Sequence, residues 1–160
     1  MKGQVMRYVV VERRGHGTYW HDPQPYLTVL PSLHDTLPAG AWSFATDPDH
    51  YDFSAPNCVK DLVLRTTPPT TNPSASFDLR FDRGPIPGHN GLTLSYNGVT
   101  SAELITEDGA PFDRSAFNSL RLDEILPTPG GCTHELAFTT ATIKITCADL
   151  QANWDPPSQH

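Results

Sequence analysis

The sequence predicts an all-β protein: a single-domain antiparallel β-sandwich or partly open barrel with at most one or two short helical turns. Three observations support this prediction. The chain has 16 Pro and 11 Gly among 160 residues, and both residue types break helices or favour turns. Apolar and polar residues alternate in several short runs, which is the pattern of half-buried strands. These runs recur roughly every ten residues with turn residues between them, as in sandwiches and barrels.

The chain is long enough to form one domain over residues 1–160 and to bury a core without disulfide bonds. The ends, at residues 1–6 and 155–160, are predicted to be flexible. Pro, Thr and Asn predominate in residues 66–76, which predicts an exposed loop there. No internal repeat or change of composition divides the sequence into two domains.

Short β-branched or aromatic runs predict the strands of the first third of the chain. These strands are expected at residues 7–12, 27–30 and 41–45. A proline-punctuated loop at residues 20–26 separates the first two, and a polar, aromatic segment at residues 47–53 follows the third.

Clearer alternation predicts the later strands at residues 59–65, 77–82, 92–96 and 120–125. Asn97-Gly98 is a strong hairpin signal, so the chain is expected to return beside the strand that precedes it. The remaining expected features are a returning strand at 99–104, a helical turn or loop between 113 and 120, a turn at 127–131 and a helical turn at 149–154.

Residues 132–138 and 143–147 form the most specific predicted pair, an antiparallel hairpin with one apolar face. A short, even-numbered connection predicts the opposite pairs Phe138 and Ile143, Leu136 and Ile145, and His134 and Cys147. In that register one face carries the two cysteines and the histidine of the hairpin, Cys132, His134 and Cys147.

The charge and cysteine content argue against several classes of protein. A net charge of −7 and a pI near 5.3 do not suit a partner with exposed phosphates, so neither nucleic acid nor an anionic membrane is expected. The same charge suits a basic protein partner. Three cysteines, an odd number, argue against a secreted disulfide framework, and the first apolar run is too short for a signal or a membrane span. We therefore expect a cytoplasmic protein.

The hairpin residues Cys132, His134 and Cys147 are of the types that bind zinc. No fourth ligand and no CxxC pair accompany them, and their neighbours along the strands are apolar. We therefore favour ordinary core residues and no cofactor. The alternative is a metal site formed by these residues, or by His50 with the carboxylates beside it.

Acidic residues are concentrated around His50, at Asp47, Asp49 and Asp52. Their spacing does not fit a calcium loop, because the sixth and twelfth positions from Asp47 hold Asp52 and Cys58 in place of Gly and Glu. Turn formation, partner recognition and acid–base chemistry remain as alternatives for this segment.

A second candidate segment contains Trp20, His21, Asp22 and Tyr26. Its aromatic residues are of the types enriched at protein interfaces, and they also suit a glycan or small-molecule binder or the end of a sandwich core. The chain has no serine-nucleophile motif and no phosphate-binding glycine loop, so no catalytic residue is predicted.

A family resemblance covers about residues 59–150. The chain resembles a group of small all-β bacterial proteins, largely uncharacterised, some of which are similar to immunity proteins of toxin systems. The resemblance implies binding and inhibition of a cognate toxin and implies no catalytic residue. The residues that carry it are Lys60-Asp61-Leu62, 77–82, 92–99, 122–125, 134–138, 143–145 and Asp149-Leu150.

These observations predict a noncatalytic, cytoplasmic binding protein, specifically an immunity protein or antitoxin that binds and neutralises a bacterial toxin with a basic surface. Acidic groups are expected to steer the encounter and aromatic rings to anchor it. The alternative is a metal-binding or metal-dependent β-barrel protein. The expected partner contacts are Trp20, His21, Asp22, Tyr26, Asp47, Asp49, Tyr51 and Asp52.

Overall fold

A computed structural model of the protein describes residues 6–15, 18–66, 75–85, 87–106, 119–139 and 141–155. The described chain is mostly β, with three antiparallel sheets and two short α-helices, which confirms the predicted all-β sandwich. The strands are β1 (Val10–Arg13), β2 (Tyr19–Asp22), β3 (Val63–Leu64), β4 (Ser76–Asp82), β5 (Leu92–Asn97), β6 (Ser101–Thr106), β7 (Leu120–Thr128), β8 (Gly131–Phe138), β9 (Ala141–Cys147) and β10 (Asp149–Trp154).

Two four-stranded sheets form the sandwich, and β1 and β2 form a separate hairpin. The first sheet has the strand order β10-β5-β4-β3, and the second has the order β6-β9-β8-β7. Aromatic contacts join their facing sides: the rings of Phe81 and Phe138 stack with centroids 6.4 Å apart, and Tyr96 meets His134. The core therefore lies between the two sheets.

Alternation predicted β4 and β5 correctly, because each strand has one face on the core. Leu79 and Phe81 are fully buried, whereas Phe77, at the start of β4, is only partly buried. Leu92, Leu94 and Tyr96 of β5 are buried between polar neighbours.

The predicted hairpin at Asn97-Gly98 is wrong, because β6 does not pair with β5. β6 pairs with β9 in the other sheet, so the chain changes sheets here. Gly98 has φ +62°, and a Cβ on it would lie 2.5 Å from the Cβ of Ala148. Glycine is therefore required by the left-handed conformation and by the neighbouring strand connection, and it does not mark a two-stranded hairpin.

The β8–β9 hairpin is confirmed, but its predicted register is wrong by two residues. The observed pairs are Cys132 with Cys147, His134 with Ile145, and Leu136 with Ile143. A shift of two keeps each side chain on its predicted face. Cys132, His134 and Cys147 do share one face, and all three are buried.

The predicted strands at residues 27–30 and 41–45 are wrong, because both segments are helical. Helix α1 spans Gln24–Val29 and continues into a 3-10 turn at Leu30–Leu33, and helix α2 spans Ala39–Ala45. Runs of four or five apolar residues fit either a strand or one buried helical turn, so alternation does not separate the two.

Other elements differ from prediction in extent or type. Only Val63–Leu64 of the predicted strand at 59–65 pairs, and the predicted loop at 20–26 contains part of β2 and the start of α1. β7 extends to Thr128, so the following turn is shorter than predicted. Residues 149–154, predicted as a helical turn, form β10 because they pair with β5.

Parts of the predicted loops and ends lie outside the described residues, namely 1–5, 67–74, 113–118 and 156–160. Residues 6 and 155 do have defined contacts. Met6 is buried, and Asp155 accepts a hydrogen bond from Arg80 at 3.1 Å.

Candidate functional site

The two predicted partner-binding segments, 20–26 and 47–52, lie next to each other in the structure. The rings of Tyr26 and Tyr51 meet edge to face with centroids 5.8 Å apart. The rings of His21 and Phe53 meet in the same way at 6.1 Å. The sequence therefore identified two segments that form one continuous region.

Tyr26 and Tyr51 are buried, so neither ring presents a broad surface to a partner. The Tyr26 hydroxyl donates to the Ile125 carbonyl at 2.6 Å, and the Tyr51 hydroxyl donates to the Asp123 carbonyl at 2.8 Å. Burial raises the pKa of both phenols well above the usual range. These two hydrogen bonds connect α1 and the segment 47–52 to β7. Of the two aromatic residues that the glycan-binding alternative would use, Tyr26 is buried and Trp20 is exposed.

His50 also points inward and away from its acidic sequence neighbours. Its Nε2 lies 2.7 Å from Oδ1 of Asp123, and its Nδ1 lies 2.8 Å from the carbonyl oxygen of Phe44. A carbonyl oxygen and a carboxylate only accept hydrogen bonds, so both ring nitrogens carry hydrogen and the ring is an imidazolium. His50 and Asp123 therefore form a fully buried ion pair.

Asp123 binds a second imidazole through its other oxygen. Nε2 of His134 lies 2.7 Å from Oδ2 of Asp123, and the Tyr96 hydroxyl lies 2.7 Å from Nδ1 of His134. Burial opposes ionisation of Asp123, but His50 and His134 together lower the pKa of this carboxyl well below its usual range. We call Asp123, His50, His134 and Tyr96 the buried polar cluster.

The predicted metal alternative is not formed by the described residues, in which no group of three metal-ligating side chains comes together. Both nitrogens of His134 already have protein partners, and so do both nitrogens of His50. Cys132 and Cys147 contact each other, with 3.8 Å between their sulfurs. The buried polar cluster brings acid and base groups together, but its carboxylate and imidazoles are closed off from solvent.

A groove of about 530 Å³ lies between α1, the 3-10 turn and α2. Its lining is mainly apolar, and it opens to solvent. The apolar contributors are Leu27, Leu30, Pro31, Trp42, Ala45 and Tyr51. Sequence reasoning missed most of these residues as site residues because it placed 27–30 and 41–45 on strands.

Helix α2 carries Trp42 into this groove, and its position is fixed by β10. Gly40 N and Ala41 N donate to the Asp149 carboxylate at 3.1 and 2.9 Å. A Cβ on Gly40 would lie 2.0 Å from the Leu150 carbonyl oxygen, so only glycine permits this approach of helix to strand. The Trp42 ring also meets His34 edge to face at 4.7 Å.

Two of the predicted acidic residues, Asp47 and Asp52, line the groove, and Asp49 lies between them in the chain. One oxygen of Asp47 accepts from Asp49 N at 2.9 Å, and one oxygen of Asp52 accepts from Ser54 N at 3.1 Å. Within the described chain, no Lys or Arg forms an ion pair with these three aspartates. We call Asp47, Asp49 and Asp52 the acidic rim.

The other predicted contacts, Trp20, His21 and Asp22, lie on β2. Trp20 is 49% exposed with the Arg14 guanidinium 5.4 Å from its ring, whereas Asp22 accepts from Gln24 N at the start of α1. His21 is partly buried, and burial together with Lys60 and Arg121 lowers its pKa to about 4. Its buried Nε2 has no hydrogen-bond partner among the described residues.

Comparison of the sequence with protein-family models and with curated proteins finds no match. The geometry of the groove and its rim therefore carries the functional argument. Across the described residues, no helix combines the length and apolar content that crossing a membrane requires.

Proposed function

We propose that the protein is a noncatalytic binding protein whose groove accepts an apolar side chain from the basic surface of a protein partner. One observation carries the proposal: an open apolar groove and a rim of aspartates that no cationic side chain of the described residues pairs with occur at the same place. Such a site matches an apolar anchor flanked by Lys or Arg. The protein's net charge of −7 favours the same kind of partner.

The groove supplies the contact that gives affinity. Trp and Tyr are enriched among the few residues that dominate interface energies, and such residues act in pockets that exclude water. Trp42 is partly buried on the groove wall, and the Tyr51 ring lies at the groove with its hydroxyl held by Asp123. The walls are therefore ordered before binding, which reduces the entropy lost on association.

The acidic rim supplies steering and orientation. Asp47 and Asp52 use one oxygen each for turn hydrogen bonds, which hold the carboxylates in place beside the groove. Charges at the edge of an interface accelerate the encounter and disfavour partners of like charge. They add less to the lifetime of the complex than a buried apolar anchor does.

A binding role without catalysis is supported by the burial of the acid and base groups. His50, His134 and Asp123 are fully buried, so a substrate in the groove does not reach them. The specific form we propose is an immunity protein or antitoxin, acting in the cytoplasm, that covers a basic surface of a cognate bacterial toxin. It is supported by the acidic charge and by the resemblance of residues 59–150 to small all-β bacterial proteins.

The test begins with affinity purification of a stoichiometric protein partner from lysate of the source cells. Calorimetry and stopped-flow kinetics then compare wild type with Trp42→Ala and with the pair Asp47→Asn and Asp52→Asn. We expect Trp42→Ala to weaken binding at least roughly tenfold, mainly through faster dissociation. The aspartate pair should slow association and reduce its dependence on salt.

Ile105→Ala is the matched control, because Ile105 is an apolar residue that is 38% exposed on β6, outside the groove. It should bind like wild type. Recovery of no stoichiometric partner contradicts a binding protein, and a partner that binds both groove variants like wild type contradicts the groove as the site. Inhibition of the partner's toxicity by wild type and not by Trp42→Ala tests the immunity role.

A further inference from the structure

The two cysteines of the β8–β9 hairpin face each other across the sheet. Cys132 and Cys147 are directly opposite in the strand register, and their sulfur atoms are 3.8 Å apart. Both thiols are free and buried. We propose that Cys132 and Cys147 are a modification site, a dithiol that is converted reversibly into a cross-strand disulfide by thiol–disulfide exchange.

The backbone already satisfies the distance requirement for this bond. Directly opposite residues of antiparallel strands have Cα atoms about 4.5–5.5 Å apart, which lies within the range found for disulfides. Bond formation needs the sulfurs to approach from 3.8 Å to about 2.05 Å, a change that side-chain rotation can supply. No movement of one strand along the other is required.

The two thiols differ in pKa, so they are expected to differ as nucleophiles. The two sulfurs share one S–H···S hydrogen bond, in which either sulfur can be the donor, and this bond lowers the pKa of Cys147. The same bond, together with burial, raises the pKa of Cys132. Since the thiolate is the nucleophile in exchange, Cys147 is the sulfur that attacks first.

The oxidant is a low-molecular-weight disulfide such as oxidised glutathione. Cys147 loses its proton and attacks one sulfur of the oxidant, which forms a mixed disulfide and releases one thiolate. Cys132 then loses its proton and attacks the Cys147 sulfur, which releases the second thiolate. Both thiolates take up the protons that the cysteines lost, so two protein thiols are oxidised and one disulfide is reduced to two thiols.

The consequence is a covalent closure of the β8–β9 hairpin. Cys147 lies two residues before Asp149, whose carboxylate holds the first amides of α2. The bond ties the end of β9 to the start of β8 and constrains the chain between residues 132 and 147. It is therefore expected to stabilise the native sheet against unfolding.

The third cysteine is an internal control. Cys58 is buried in the turn region after α2, and burial raises its pKa to about 11. Among the described residues, the sulfur–sulfur hydrogen bond joins the other two cysteines and leaves Cys58 outside the pair. A disulfide between Cys132 and Cys147 leaves this thiol for alkylation. Cys58→Ala is thus the matched control for Cys147→Ala.

The experiment refolds the full chain in buffers of different reduced-to-oxidised glutathione ratios, then quenches with acid, alkylates under denaturing conditions and measures intact mass. We expect one alkylated thiol, a mass deficit of two hydrogen atoms, and a Cys132–Cys147 cross-link in the peptide map. The folded chain should retain the bond at ratios at least roughly tenfold more reducing than the urea-unfolded chain. Cys58→Ala should behave in the same way, and Cys147→Ala should form no internal bond.

Three alkylated thiols at every ratio overturn the proposal. A stable glutathione adduct overturns it too, as does a bridge through Cys58 or an equal tendency of folded and unfolded chains to form the bond. Circular dichroism of the reduced variants shows that each of them is folded. A rise of several degrees in the thermal midpoint on oxidation, present in Cys58→Ala and absent in Cys147→Ala, is the second measurement.

Discussion

The same acid side chain has opposite roles in two regions of the molecule. In the buried polar cluster, both oxygens of Asp123 bind imidazoles at 2.7 Å. At the groove, Asp47 and Asp52 use one oxygen each for a turn hydrogen bond, and no basic side chain of the described residues pairs with them. Asp123 has a structural role, because it is buried and both of its oxygens already have protein partners. Asp47 and Asp52 each have one oxygen in a turn hydrogen bond, so they can still interact with a cationic partner.

The comparison also explains why His50 was misleading in the sequence. It lies among Asp47, Asp49 and Asp52 in the chain, but its ring packs against Phe44 and binds Asp123 from a distant strand. Residues that are neighbours in the sequence therefore lie in two different environments. His50 is buried in the core, whereas the aspartates lie at the surface beside the groove.

The largest expected effect is on the buried side. Asp123→Asn removes the charge that balances the His50 imidazolium and weakens the contact with His134. An unbalanced buried charge costs about 3–5 kcal/mol, so the free energy of unfolding should fall by that amount. Urea unfolding at pH 7 measures it, with Asp52→Asn as control. A loss no greater than that of the control would show that the cluster contributes little.

Acid unfolding should report the same residue. The pKa of Asp123 is lowered in the folded protein, so its contribution to stability is fully present above its unfolded pKa of about 3.9. The contribution is lost as the pH falls below that value towards the folded pKa. Wild type should therefore lose stability more steeply below pH 4 than Asp123→Asn does.

A second, smaller effect is expected at the adjacent carboxylate. Glu124 accepts hydrogen bonds from three successive amides, Arg7 N at 2.8 Å, Tyr8 N at 2.5 Å and Val9 N at 2.8 Å. Glu124→Gln removes the charge and replaces one acceptor by a donor, which should cost about 2 kcal/mol. Hydrogen exchange should accelerate at Tyr8 and Val9. Glu103→Gln, an exposed residue of the same sheet, should leave both measurements unchanged.

The strands β4 and β5 were predicted correctly because their alternating exposure to core and solvent is matched by alternating apolar and polar residues in the sequence. Leu79, Phe81, Leu92 and Leu94 alternate with polar residues because one face of each strand meets the core and the other meets solvent. Alternation in the sequence also identified β8 and β9, although both faces of β8 are largely buried. It did not fix their register, because β9 begins at Ala141, two residues before its predicted start at residue 143.

The helices that form the groove were missed for two different reasons. For α1 a signal exists: Asp22 accepts a hydrogen bond from Gln24 N, and prolines occur at the helix start, where their missing N–H costs nothing. For α2 no local signal exists, because Asp149 satisfies its first amides from more than a hundred residues away. That contact also holds the start of β10 beside the helix.

The third prediction concerns His21, which lies near cationic side chains, with the exposed His34, which lies beside Asp35, as its control. His21 lies near Lys60 and Arg121, and its pKa is lowered from 6.5 to about 4. Between these values the unfolded chain binds more protons than the folded chain, so stability should fall as the pH is lowered from 7 to 4. His21→Gln should reduce this slope, measured as thermal midpoints from pH 7 to pH 4.5. The exposed His34→Gln should retain it, and an unchanged slope in His21→Gln would contradict the assignment.

The smallest expected effect belongs to the acidic rim, in the double variant Asp47→Asn and Asp52→Asn. The asparagine oxygens can still accept from Asp49 N and Ser54 N, so the turns should persist and the free energy of unfolding should change by less than about 0.5 kcal/mol. Urea unfolding checks this value. The variant would then separate the two roles of aspartate, because a partner would associate more slowly with a protein of unchanged stability. A loss of more than about 1 kcal/mol would instead show that the rim carboxylates hold the fold as Asp123 does.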